Sequence, residues 1–220
     1  QLPNLKKGLE KTGLSLPGSN SLSQDEVGAG LKEALNRGIE AGVNKLSKPD
    51  GYFKDDQIKL FLPEEARQVE SKLRKLGQDA KVDAAIESMN RAAEDAANSS
   101  KELFVSAIKN LTLEDAMGIL KGENDAATQY LSAQTRSGLV EKFKPIIKKS
   151  LDKVGATQHW ETLFTAYNKI PFVQKVNPDL VDYTTEKAID GLFIQVAKQE
   201  LEIRKNPSAR ASELLKKVFG

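Results

Sequence analysis

The chain carries one histidine, His159, directly before its only tryptophan, Trp160, and it contains no cysteine. Thiolate nucleophiles, disulfides and cysteine or multi-histidine zinc sites are therefore excluded. A Ser-His-Asp arrangement would depend on this one ring, with an orienting carboxylate and a nucleophile that the sequence does not place beside it. The plain reading of His159 is a partly exposed ring beside a tryptophan that packs. Carboxylates are plentiful, and several stand as adjacent pairs: Asp55-Asp56, Glu64-Glu65, Glu94-Asp95 and Glu114-Asp115. Neighbouring residues of a helix point about 100° apart, so such pairs do not converge on a metal or a scissile bond. The chain has no Glu-x-x-His pair of the di-iron bundles, and Asp50 to Asp56 has acids without the spacing of a calcium loop. Gly28-Ala29-Gly30 sits inside a helical pattern, the wrong context for a phosphate loop. No metal ion or cofactor is expected.

Two places hold more interest. In Asp125-Ala126-Ala127-Thr128-Gln129-Tyr130, polar residues alternate with small ones on the opening turns of a helix, and Arg136 follows further along. Asp125 and Gln129 are four apart and share a face, so Asp125, Thr128, Gln129, Tyr130 and Arg136 form a candidate ligand-binding face. The second place is Asp190, set in the apolar run Lys187-Ala188-Ile189-Asp190-Gly191-Leu192-Phe193. A buried acid is costly unless paired, which makes Asp190 and Arg91 a candidate internal ion pair. Two function classes follow. The preferred one is a non-enzymatic helical domain that binds a protein, a small molecule or the envelope surface. The alternative is a carboxylate-based hydrolase or lyase with Asp190 or Asp125 as general base and a tyrosine such as Tyr130 as acid.

The elements that must position these residues are helices. Ser23 with Glu26 makes a capping box, after which Val27, Leu31, Leu35, Ile39 and Val43 recur every fourth residue to about Leu46. Glycines at 30, 38 and 42 in that helix suggest close approach of a neighbour. Lys48-Pro49-Asp50-Gly51 reads as a turn. Residues 58–62 and 172–176 read as extended, at most a minor two-stranded piece. Further helices are expected from Pro63 to Gly77, over 79–98, over 101–111, from the Thr112/Asp115 cap to Gly122, and from Asn124 to Val154 with a kink or split at Pro145. Thr157 is read as the cap of the next, 178–204 as the central helix, and Asn206-Pro207 as the start of the last, docked by Leu214, Leu215, Val218 and Phe219. The reading is all-α: residues 23–220 as one irregular bundle of about eight to nine helices, behind a flexible tail at 1–22.

Composition agrees. The chain has 220 residues, 39% hydrophobic and 29% charged, typical of a folded domain. Basic and acidic residues number 33 and 31, and the short basic clusters sit among carboxylates, which argues against nucleic-acid binding. No apolar run reaches the ~20 residues of a transmembrane helix. Leu2, Leu5 and Leu9 around Lys6 and Lys7 leave weak peripheral membrane contact through the tail as a further reading.

Lys48-Pro49-Asp50-Gly51-Tyr52-Phe53, Leu62-Pro63-Glu64, Asp125 to Tyr130, Lys187 to Phe193 and the ending Leu214-Leu215-Lys216-Lys217-Val218-Phe219-Gly220 stand in an order that resembles the bacterial domain-of-unknown-function family 4197. The resemblance spans about residues 25–220. It implies an all-helical protein of Gram-negative bacteria made with an export signal, hence a periplasmic or otherwise exported location. The start at Gln1 reads as a processed or a trimmed end, and either is compatible with an export signal already removed. The resemblance implies no catalytic residues.

Overall fold

A computed structural model describes residues 23–177, 179–206 and 216–218. The expected tail at 1–22 and most of the expected last helix lie outside the described residues, of which Lys216 to Val218 are helical. Among the described residues, the principal α-helices run in chain order: α1 (Gln24–Leu46), α2 (Arg67–Lys75), α3 (Asp79–Ala97), α4 (Lys101–Lys109), α5 (Leu113–Lys121), α6 (Ala126–Asp152), α7 (Ala156–Tyr167) and α8 (Leu180–Lys205). Single 3₁₀ turns, Glu64–Ala66 and Asn98–Ser100, lead into α2 and α4. There is no strand among the described residues, so the fold is all-α.

Helix ends follow their local chemistry. The Ser23 hydroxyl accepts the Glu26 N–H at 3.2 Å while the Glu26 carboxylate accepts the Ser23 N–H at 2.8 Å, a reciprocal box that opens α1. Thr112 and Asp115 repeat it on α5. Asp179 caps α8 by accepting the Asp182 N–H at 2.9 Å. Thr157 does not cap α7: the helix already begins at Ala156, and the Thr157 hydroxyl donates to Asp152.

The buried residues form one large continuous cluster beside a small pairing of Ala34 and Ile203. At its centre α8 packs against α6, α1 and α3, and it buries side chains such as Ala188, Ile189, Leu192 and Val196. The stripe of α1, Leu31, Leu35, Ile39 and Val43, faces inward. Glycines in α1 do bring α8 near, but a Cβ at Gly38 or Gly42 would lie 3.4 to 3.5 Å from its nearest neighbours, close to ordinary contact. Steric need falls instead on Gly51 and Gly191. A Cβ at Gly51 would sit 2.5 Å from the carbonyls of Lys45 and Leu46, and one at Gly191 would sit 2.8 Å from the Tyr52 ring.

One expectation is corrected here. Pro145 does not split α6, which runs unbroken from Ala126 to Asp152. Both Pro145 and Glu141, whose carbonyl the proline leaves without its helical donor, are exposed, so water can serve that carbonyl. Residues 58–62 and 172–176, read as extended with at most a minor two-stranded piece, form no strand. A side-chain amide takes the partner strand's place in each. Asn90 receives the Leu60 N–H at 2.9 Å and donates to the Leu60 carbonyl at 2.9 Å. Asn168 does the same for Val176 at 2.9 and 2.7 Å.

Candidate functional site

The candidate face at the start of α6 is occupied by internal bonds. Glu200 of α8, its side chain 5% exposed, accepts the N–H of Ala127 at 3.0 Å, the N–H of Thr128 at 2.9 Å and the Thr128 hydroxyl at 2.8 Å. A buried carboxylate thus satisfies the first free amides of α6, where the helix dipole favours negative charge. Arg204 binds the same carboxylate at 2.8 Å and donates to the Ile119 carbonyl at 2.8 Å. Gln129 donates to Asp125 within the helix at 2.9 Å. Tyr130 is half-buried against the core, and desolvation raises its pKa with a small contribution from Asp115. Arg136 turns to α8. It binds Glu186 and Asp190, each at 2.7 Å.

That last pairing corrects the expected Asp190–Arg91 contact. Asp190 projects from the rim of α8 with its side chain 44% exposed, flanked by Arg136 and, at 4.0 Å, by Lys187. Periodicity places it in an apolar helix, but its own direction carries it outward over α6. Arg91 lies on α3 and serves another segment, the Lys48–Phe53 turn. It binds Asp50 at 2.7 Å and Glu94 at 2.8 Å, with Glu87 at 3.3 Å. Hydrogen bonds to Glu94 and Asp50 hold the Arg91 pKa above its ordinary range. Glu94, 5% exposed, accepts the N–H groups of Tyr52 at 3.1 Å and Phe53 at 3.2 Å. Tyr52 is fully buried and donates its hydroxyl to the Ala188 carbonyl at 2.8 Å. Burial pushes its pKa far up, and Glu94 adds to the shift. These residues hold the α1–α2 connection inside the bundle.

An apolar concavity lies elsewhere, between α2, α3 and α7. A cleft of about 480 Å³ is walled by Val69 and Leu73 of α2, Val82, Ala85 and Met89 of α3, and Trp160, Leu163 and Phe164 of α7. Leu62 and Leu180 contribute to the same walls. Amphipathic spacing explains each wall, because residues three or four apart share a helical face. The Trp160 and Phe164 rings meet at 4.2 Å between centroids, and the indole N–H donates to the Asn177 carbonyl at 3.1 Å. Polar groups are few: Glu70, Gln78, Lys81, Ser88 and His159. Ala84, Ser88 and Val154 also line a second hollow of about 350 Å³, whose walls include Glu87, Arg91, Asp95 and Lys153. An apolar cleft thus adjoins a charged one. His159 and Trp160 were visible in the sequence as neighbours, but nothing in their spacing pairs α7 with α2 and α3.

Among the described residues no group of three or more His, Asp or Glu side chains is placed to hold a metal ion, and no helix is long and apolar enough to cross a membrane. With this architecture in view, the chain matches the family described as "Protein of unknown function (DUF4197)" over residues 21–220, and it belongs to that family. No curated protein and no solved structure matches it.

Proposed function

We propose that residues 23–220 form one non-enzymatic binding domain of the bacterial envelope, and that the α2–α3–α7 cleft takes up a small amphipathic molecule. One observation carries the reading: a preformed apolar cleft of about 480 Å³ that runs into a charged hollow. Ligand sites have this character, largely apolar walls with a few placed polar groups and volumes of about 300–1,000 Å³. An alkyl chain or ring would lie against Trp160, Leu163 and Met89, with a polar head toward Arg91 and Lys153. The exported location rests on the family resemblance, and cell fractionation of the native protein tests it.

The carboxylate-enzyme alternative finds no support in the geometry. A general base must meet its substrate in a cleft. Asp125 is engaged by Gln129, and Asp190 sits in the open between Arg136 and Lys187.

The single tryptophan lines the cleft, so its fluorescence reports occupancy directly. Dodecanoate, dodecyl phosphate, dodecanol and dodecyltrimethylammonium titrated in turn should give a saturable change for at least one. Ala85→Trp, which fills the cleft, should abolish ligand-dependent stabilisation in a melting assay. Lack of saturation with all four probes would sink the reading.

A further inference from the structure

From α7 to α8 the chain makes a closed loop, Lys169-Ile170-Pro171-Phe172-Val173-Gln174-Lys175. Its base is pinned: Asn168 bonds both the N–H and the carbonyl of Val176, and Trp160 holds the carbonyl of Asn177. The loop is therefore presented from a fixed stem. At its tip Phe172 is fully exposed, and Ile170 is 53% exposed. Phe172 also adopts φ +64°, a left-handed conformation that is costly for a residue with a Cβ. Burial within the protein cannot be the return for that strain, since the ring touches solvent on every side. Lys169 and Lys175 flank the apolar tip, both exposed, and neither has an ion-pair partner among the described residues.

We infer that this loop docks the protein onto an anionic lipid surface, with Phe172 and Ile170 entering the headgroup boundary and the two lysines meeting lipid phosphates. Large apolar side chains ringed by cations are what an anionic interface accommodates: the rings leave water and the long lysine stems reach outward to charge. The loop carries a net charge of two positives and no acid, so the complementarity is with a negative surface. The inference stands independently of the cleft and its ligand.

Vesicle co-sedimentation of the full chain tests it, with phosphatidylcholine alone against phosphatidylcholine containing a third phosphatidylglycerol. The native chain should partition to the mixed vesicles and much less to the neutral ones, and added salt should weaken the binding. Phe172→Ser should lower the partition roughly tenfold through lost apolar transfer. Lys169→Glu with Lys175→Glu should lower it at least as far, on the basis of about fivefold for each lysine. Phe172→Gly separates binding from folding: it relaxes the left-handed residue and keeps or raises the melting temperature, yet it should lose binding like the serine variant. Equal sedimentation with both vesicle types, or binding that survives Phe172→Gly and the double charge reversal, overturns the inference. The second outcome would move the contact elsewhere, the leucines and lysines of residues 1–22 included. Cleft-ligand titrations in these variants should match the native chain, so the two readings fail separately.

Discussion

The ring of Tyr52 occupies the space that a side chain on Gly191 would need: a Cβ there would lie 2.8 Å from Tyr52 Cε1 and 3.3 Å from Ile58 Cβ. One turn earlier on α8, the carbonyl of Ala188 accepts the Tyr52 hydroxyl at 2.8 Å. The two contacts together seat the α1–α2 connection against the central helix. Gly191→Ala should therefore destabilise the protein by about 1–3 kcal/mol through overpacking, although alanine is the better helix former. Urea unfolding measures it, and a neutral or stabilising result would mean that the Tyr52 ring moves freely.

Glu200 is the second fixed point of α8. Its removal leaves two amides and a hydroxyl of α6, with Arg204 beside them, short of their acceptor. Glu200→Ala should cost about 3 kcal/mol, while Glu200→Gln, which keeps one acceptor oxygen, should cost less. Thr128→Ala removes one donor only and should cost about 1 kcal/mol. The order of the three midpoints in denaturant is the check.

Asn90 is wholly buried and bonds the N–H and carbonyl of Leu60 together with the carbonyl of Ile86. Asn90→Leu should strand the N–H and carbonyl of Leu60 and cost about 2–3 kcal/mol despite a favourable apolar substitution. Amide exchange at Leu60, whose N–H is buried and bonded to Asn90, should accelerate in the variant beyond what global destabilisation explains.

Much of this fold is legible in the sequence because helices advertise themselves locally. The Ser23/Glu26 and Thr112/Asp115 boxes and the fourfold spacing of Leu31, Leu35, Ile39 and Val43 are read directly, and the structure bears them out. What neighbours what is another matter. Periodicity gives Asp190 an angular position on its helix but not the identity of the helix beside it, so its partner is Arg136 and not Arg91. Asn90 and Asn168 satisfy isolated stretches of backbone through single amides, a role with no periodic trace. The cleft is hidden for the same reason. Its walls are ordinary amphipathic faces, and only their failure to close against one another makes a cavity.

Acid should weaken the fold in a defined window. Hydrogen bonds from Lys54 and then Arg91 lower the Asp50 pKa, and the Thr112 hydroxyl and N–H lower that of Asp115, each below an ordinary value of 3.8. Burial opposes ionisation of Asp55, but Lys45 and the Gln57 N–H outweigh it and its pKa is lowered as well. A carboxyl depressed in the folded state stabilises it fully above the unfolded pKa, and this contribution disappears as pH falls through the folded value. Stability should thus be level above about pH 5 and fall progressively below about pH 4. Asp50→Asn, with an asparagine that tolerates the φ of +69° found there, should make the acid limb shallower in urea unfolding across that range.

The hydroxyl of Tyr52 and the carbonyl it meets are 136 positions apart in the chain. A ribosome therefore delivers the Lys48–Phe53 turn, and later the Arg91 and Glu94 that brace it, long before α8 emerges. During that interval a large aromatic destined for the interior has no roof. Completion of the bundle is thus deferred until α8 has been made. A product that terminates ahead of α8 should be material for proteases and chaperones rather than a smaller working protein.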